Sequence, residues 1–224
     1  MTRVAAILPM RHNSERVPGK NYRDLGGRPL YHHVVESLLE VTTIDEIVVD
    51  TDSDFIINDV ARAFPSVRVL IRPEHLRAGE IAMNDVLLNT IEQLDADVIL
   101  QTHSTNPFLS PETIKDALAQ FLSADRNFDS LFAVTRVQAR LWSEDTKPIN
   151  HDLAVLLRTQ DLAPIYVENS CFYIFTPALI KELGSRIGRT PRMVEVQHLE
   201  SLDIDVESDF QLAIAVEALR ARNS

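Results

Sequence analysis

A single cysteine, Cys171, leaves the chain without a partner for an intrachain disulfide. Its neighbours Phe172, Tyr173, Ile174 and Phe175 place it in an apolar strand, where a thiol is buried and inert. Long hydrophobic runs are also missing. None approaches the roughly 18 residues that span a bilayer, and Val4 to Met10 is too short and too quickly followed by charge to be a secretion signal. The expected compartment is the cytoplasm, with no membrane partner. Positive charge is scarce overall, since 22 Lys and Arg against 33 Asp and Glu leave a net charge of -11. That balance, without a basic stripe, argues against nucleic-acid binding through phosphate neutralisation. Neither a G-x-x-x-x-G-K-[ST] loop nor a G-x-G-x-x-G turn occurs, so the common phosphate-binding and dinucleotide-binding readings lose their support. The seven histidines show no zinc-ligand spacing, and no G-x-S-x-G elbow offers a serine nucleophile.

What is present is a globular composition, 45% hydrophobic and 25% charged over 224 residues, enough for one domain covering 1-224. The order of elements is legible. Strands are expected at Val4 to Leu8, Glu46 to Asp52, Val67 to Ile71, Asp97 to Leu100, Ser130 to Val137, Ile165 to Phe175 and Met193 to Val196. Between them lie helical patterns. One opens at Pro29 with Leu30, Val34, Leu38 and Leu39 on one face, and a second is capped by Ser53 or Asp54. Others cover Asn84 to Leu94, the stretch after Ser110-Pro111, Pro177 to Leu183, and Asp209 to Arg222. Repeated strand-helix-strand units imply an α/β fold, a mostly parallel twisted sheet flanked by helices in the Rossmann-like manner. Residues 138–165 interrupt the rhythm with Trp142, Lys147, Pro148 and Pro164 and no sustained period. Such an excursion suggests a protruding arm for dimerisation.

Two stretches carry chemistry. The first, Ile7 to Asn21, is a strand emptying into a loop with Pro9, Pro18, Gly19 and the cations Arg11, Arg16 and Lys20. Ligands of open α/β sheets sit beyond the carboxyl ends of strands, so this loop is the expected seat of a phosphorylated substrate. The second is Ser201 to Asp209. In an extended segment Asp203 and Asp205 face one way while Leu202, Ile204 and Val206 face the other. Two carboxylates on one side repel unless a cation lies between them, and Mg²⁺ (or Mn²⁺) suits such a pair. Asp50-Thr51-Asp52 has the same spacing and competes for that role, although Asp52 and Asp54 also suit a helix start. A cationic loop, a carboxylate pair and polar strand ends together point to nucleotidyl transfer, which needs positioning and charge neutralisation but no protein nucleophile.

The stretch Pro9-x-Arg11-x-x-Ser14-x-Arg16-x-Pro18-Gly19-Lys20-Asn21, followed by Leu25-x-Gly27-x-Pro29-Leu30, resembles the amino-terminal signature of the acylneuraminate (CMP-sialic acid) cytidylyltransferases, with some features of the CMP-KDO synthetases. The similarity continues through Asp50-Thr51-Asp52, Arg72-Pro73, Leu100-Gln101, Glu168-Asn169-Ser170 and Asp203-Ile204-Asp205. It implies a nucleotide-diphospho-sugar transferase fold, a homodimer with an exchanged arm, Mg²⁺, and transfer from CTP to a 2-keto-3-deoxy sugar acid. Carried over by position, Arg11 and Lys20 grip the triphosphate, Asn21 and Arg72 hold the cytidine, Gln101 touches the sugar, and Asp203 and Asp205 hold metal. Asn13, Ser14, Arg16 and Asn169 are further candidate substrate contacts. Where relatives carry small hydroxyl residues after Arg72-Pro73, this chain has Arg77, Gly79, Glu80 and Met83, and its Gln101 loop is longer than Q-P-T-S-P. The sugar is therefore left open among sialic, legionaminic, pseudaminic and octulosonic types. Two other readings remain: a glycosyltransferase using Asp50 and Asp52 for its metal, and a nucleotide-binding protein without turnover.

Overall fold

The structure, a computed structural model, describes residues 2–223. Its centre is β1 (Val4–Met10), buried at every position. Alternate residues serve opposite layers: Ala6 and Leu8 pack into one apolar cluster, Ala5 and Ile7 into another. A strand buried on both faces reads as a continuous apolar run, which is why this element is visible in the sequence.

Seven strands form one sheet in the order β5-β4-β1-β6-β8-β7-β9. β4 (Glu46–Thr51) and β6 (Val98–Thr102) flank β1 in parallel, and β5 (Arg68–Ile71) extends the sheet beyond β4. β8 (Ile165–Phe175) runs antiparallel to both β6 and β7 (Ser130–Val137), while β9 (Pro191–Glu195) is parallel to β7. One strand therefore opposes the other six. A two-residue ribbon, β2 (Asp24–Leu25) with β3 (Arg28–Pro29), stands apart from the sheet.

Helices α1 (Leu30–Leu39), α2 (Asp54–Ala63) and α4 (Pro111–Leu122) cover one face through Val34, Val60 and Leu118. On the other face α3 (Met83–Ile91) and α5 (Pro177–Leu183) bury Leu87, Ile91 and Ile180. Ser53, Ser110 and Thr176 each accept a backbone N–H at a helix start, satisfying donors that would otherwise lack partners. The cap of α2 is thus Ser53, not Asp54. Leu39 departs from expectation: it is exposed, because α1 ends there and only Leu30, Val34 and Leu38 keep the buried face.

A third, small cluster fixes the site. Val17 of the first loop, Leu25, Phe108 and Ile204 pack with Phe210 and Ala213 of α6 (Glu207–Asn223). Residues far apart in sequence are thereby held at one edge of the sheet. Residues 138–164 carry only a 3₁₀ turn at Thr159–Asp161 and an isolated bridge between Trp142 and Pro148. Their ends are pinned, since Val137 pairs with Ile165.

Candidate active site

A cavity of about 530 Å³ opens beyond the carboxyl ends of β1 and β6, lined in part by Arg11, Asn13, Ser14, Arg16, Lys20 and Asn21. The sequence explains the loop's shape. Gly19 takes φ 65°, a left-handed conformation that L side chains rarely adopt, and it starts the 3₁₀ turn Lys20–Tyr22. Asn21, almost fully buried, donates from Nδ2 to the Arg11 carbonyl at 2.8 Å and accepts from the Ser104 hydroxyl at 2.8 Å. It splints the loop to the segment after β6. Across the cavity Gly79 lets the chain approach closely, for a Cβ there would lie 3.1 Å from Arg11 Nη1 and 3.2 Å from Glu15 Oε1.

The acidic segment meets this loop. Ile204, wholly buried, donates its N–H to Thr105 O at 3.0 Å, and Asn106 Nδ2 donates to Leu202 O at 3.3 Å, fixing Asp203 and Asp205 on either side. Lys20 Nζ donates to Ile204 O at 2.5 Å, and Arg16 Nη2 pairs with Asp205 Oδ1 at 2.7 Å. The pair of carboxylates thus has cations beside it, although no Lys or Arg stands near it in the sequence. Asp209 Oδ2 accepts the N–H groups of Asp205 and Val206, each at 2.9 Å, which ties the acidic segment to the first turn of α6.

Burial governs the charges here. Desolvation raises the Asp203 carboxyl above the usual range, Thr105 opposes the shift, and Asp205 adds to it. Its Oδ1 is buried and has no hydrogen-bond partner. Desolvation lowers the Lys20 ammonium, against the pull of Asp203 and Asp205. His103, which lines the cavity, is pushed down to about 3 by burial and by the charges of Arg186 and Lys20, so it is neutral. Among the described residues no group of three or more His, Cys, Asp or Glu is placed to hold a metal.

Four candidate residues have protein partners of their own in the structure. Asp50 is not an open metal ligand: its carboxylate is 1% exposed, accepts Arg72 Nε at 2.5 Å and is bonded by Thr90 Oγ1 at 2.9 Å. Asp52 instead accepts the His12 backbone N–H at 2.7 Å. Arg72 is consequently consumed inside the sheet and does not line the cavity. Gln101 is fully buried, its Nε2 bonded to Thr102 O at 3.0 Å and its Oε1 to Arg186 Nη1 at 2.7 Å. Asn169 braces β7 through Thr135 Oγ1 at 3.0 Å and accepts Cys171 N–H at 3.2 Å. Together with Asp203 it lines a second cavity of about 410 Å³. Cys171 is buried and its thiol is pushed far up, as an inert core thiol should be. His103 and Arg186 carry the site's remaining features. The sequence marks His103 only by its place in a strand-end loop and gives no signal for Arg186.

A mostly parallel sheet with one reversed strand, and a cationic loop facing paired carboxylates at its carboxyl edge, define a nucleotidyltransferase of the α/β type. Solved structures agree on the fold: a CMP:2-keto-3-deoxy-manno-octonic acid synthetase complexed with CTP aligns over 100% of both chains at TM-score 0.73 and 17% identity. A 4-diphosphocytidyl-2C-methyl-D-erythritol synthase from Anaerococcus prevotii aligns over 96% of each chain at TM-score 0.69 and 16% identity. The profile of the cytidylyltransferase family matches residues 5–223, and the chain belongs to that family. It is 30% identical over 222 residues to the CMP-N,N'-diacetyllegionaminic acid synthase of Legionella pneumophila, covering 94% of each. It is 31% identical to the N-acylneuraminate cytidylyltransferase of Oncorhynchus mykiss, of which it spans 49%. It is 28% identical over 181 residues to the pseudaminic acid cytidylyltransferase of Campylobacter jejuni, covering 76% and 77% of the two chains.

Proposed function

We propose that this chain transfers the cytidylyl group of CTP to the anomeric hydroxyl of a 2-keto-3-deoxy sugar acid, giving a CMP-sugar and pyrophosphate. The observation that carries the reading is the convergence of Arg11, Arg16 and Lys20 with Asp203 and Asp205 at one sheet edge. The names of the sialic, legionaminic and pseudaminic relatives support the acceptor class.

Arg11 and Lys20 neutralise the triphosphate, with Arg16 exchanging its contact with Asp205 for phosphate oxygens. Asn21 keeps Lys20 aimed by splinting the loop to Ser104. The donor set suits Mg²⁺ or Mn²⁺: Asp203 offers a desolvated oxygen without a partner, Asp205 lies beside it, and substrate phosphates complete the shell. Bound there, the metal supplies Lewis acidity toward the α-phosphate and the attacking hydroxyl. The exposed apolar side chains of the excursion, among them Leu153 and Leu156, support a homodimer built on that arm. Among the described residues no helix is long and apolar enough to cross a membrane, in keeping with a cytoplasmic enzyme.

Pyrophosphate release is the test. It should require CTP, Mg²⁺ and a keto-deoxy sugar acid together, whereas a glycosyltransferase releases a nucleotide without pyrophosphate and a binding protein releases neither. Asp205→Asn should lower turnover by about 10²- to 10³-fold, the scale on which loss of transition-state charge stabilisation operates, with an unchanged melting curve. Turnover at the wild-type rate would remove Asp205 from the chemistry.

A further inference from the structure

Arg186, in the loop after α5, is a cation in an unusual setting. Its guanidinium lies over the Tyr173 ring, 3.6 Å from the centroid, and its Nη1 donates to Gln101 Oε1 at 2.7 Å. Both partners are fully buried and neutral. Among the described residues no carboxylate comes within 4.0 Å of it, although Arg3, Arg16, Arg23, Arg28, Arg68 and Arg72 each have one. Burial holds the guanidinium below its ordinary value.

A half-buried cation with no carboxylate in direct contact costs stability. Two arrangements keep it there. Tyr173 fixes one flat side, and Gln101, itself tied to Thr102 O, fixes one edge, so the remaining donors point in a set direction. Arg186 does not itself line either cavity, but Tyr173 beneath it stands between them: its ring centroid lies 6.4 Å from that of His103, which lines the larger cavity, and its hydroxyl donates to the carboxylate of Glu168, which lines the smaller.

The kind of anion follows from these neighbours. A triphosphate has three cations of its own on the first loop, and one guanidinium beside Glu168 balances a single negative charge better than a second polyanion. A single planar monoanion matches a guanidinium fork held on one side. We infer that Arg186 receives the carboxylate of the acceptor sugar acid, with Gln101 and Tyr173 as the residues that hold its guanidinium in place. The inference rests on the cytidylyltransferase reading above. It also explains the burial of Gln101, which reaches the sugar through Arg186 and not directly.

The test uses the purified full chain with N-acetylneuraminic acid, N,N'-diacetyllegionaminic acid, pseudaminic acid and 3-deoxy-manno-octulosonate, and the methyl ester of the best acceptor. Arg186→Gln and Arg186→Ala should raise the KM for the acid by roughly 10- to 100-fold, the range for one charge-assisted contact, with the KM for CTP within about 2-fold. Arg186→Lys should recover part of the loss, since it keeps the charge without the fork. Preference for the acid over its ester should collapse in Arg186→Gln. A parallel rise of both KM values, or a persisting preference for the acid, would overturn the assignment. Calorimetric CTP binding on the same preparations reports whether each variant is folded. Should the wild type release no pyrophosphate with any acid, the activity reading fails, and direct calorimetric binding of the acids still decides on Arg186. Binding that Arg186→Gln abolishes supports it, and binding that is unchanged or absent in the wild type refutes it.

Discussion

Two aspartates with the same local spacing have opposite fates. Asp50 and Asp203 each open a D-x-D triplet, yet Asp50 is neutralised by Arg72 and Thr90 inside the sheet while Asp203 keeps an unpartnered oxygen. The triplets alone cannot separate them, because the deciding residues lie 22 and 40 positions from Asp50. What the sequence does show is the other side of the site: Arg11, Arg16, Lys20 and Asn21 crowd one loop, and all of them line the cavity. The partner of Arg72 is hidden for the same reason, since Arg72 and Asp50 are each other's partner. The contrast predicts a pair of results. Asp50→Asn should destabilise the fold by about 3–5 kcal/mol, since it strands a buried guanidinium, and urea unfolding measures this. Asp203→Asn should abolish turnover while leaving the urea midpoint equal or higher, because a desolvated carboxylate beside Asp205 is replaced by a neutral amide.

At the scale of elements, strong periodic segments were legible and short ones were not. β1, β4, α4 and β8 carry enough apolar residues, caps or β-branched runs to declare themselves, and Ser110-Pro111 marks the start of α4 in both sequence and structure. The ribbon of β2 and β3 has two residues per strand, too few for any period to show. α3 stops at Ile91, short of Leu94, because successive turn bonds from Gln93 N–H to Thr90 O and Leu94 N–H to Ile91 O replace the helical pattern. The joint between the first loop and α6 is a two-bond ion pair, Arg23 to Glu207 at 2.5 and 3.0 Å. Arg23 foremost, then Gln211, hold the Glu207 carboxyl at about 2. A depressed carboxyl stabilises the fold above its unfolded value and loses that effect as protons bind. Stability should therefore decline from about pH 4.5 toward pH 2 through this group, and Glu207→Gln should flatten that part of the curve in pH-dependent thermal melts. The group is at the surface, so the effect is modest and shrinks with added salt.

On the scale of the molecule, the sheet was readable as mostly parallel, but the reversal of β8 was not. An excursion between two strands can return in either direction, and nothing in its composition selects one. The excursion itself was visible by its broken rhythm. Leu156 is 89% exposed and Leu153 67%, with Trp142 at 50% and Ile149 at 58%, a density of bare apolar side chains that a lone subunit has little reason to keep. On the homodimer proposed above, Leu153→Asp with Leu156→Asp should convert a dimer to a monomer in sedimentation velocity without loss of helical signal. A wild type that already sediments as a monomer, or a variant with an unchanged coefficient, would overturn that reading.

Because β7 leaves the sheet and β8 re-enters it at the edge that bears the cavities, with Val137 opposite Ile165, the roots of the excursion flank the smaller cavity, the one that Asn169 and Asp203 line. Any neighbour that grips the excursion therefore stands at the doorway. On the proposed homodimer, traffic of sugar and pyrophosphate would be tied to subunit company, and activity per milligram should sag as the enzyme is diluted.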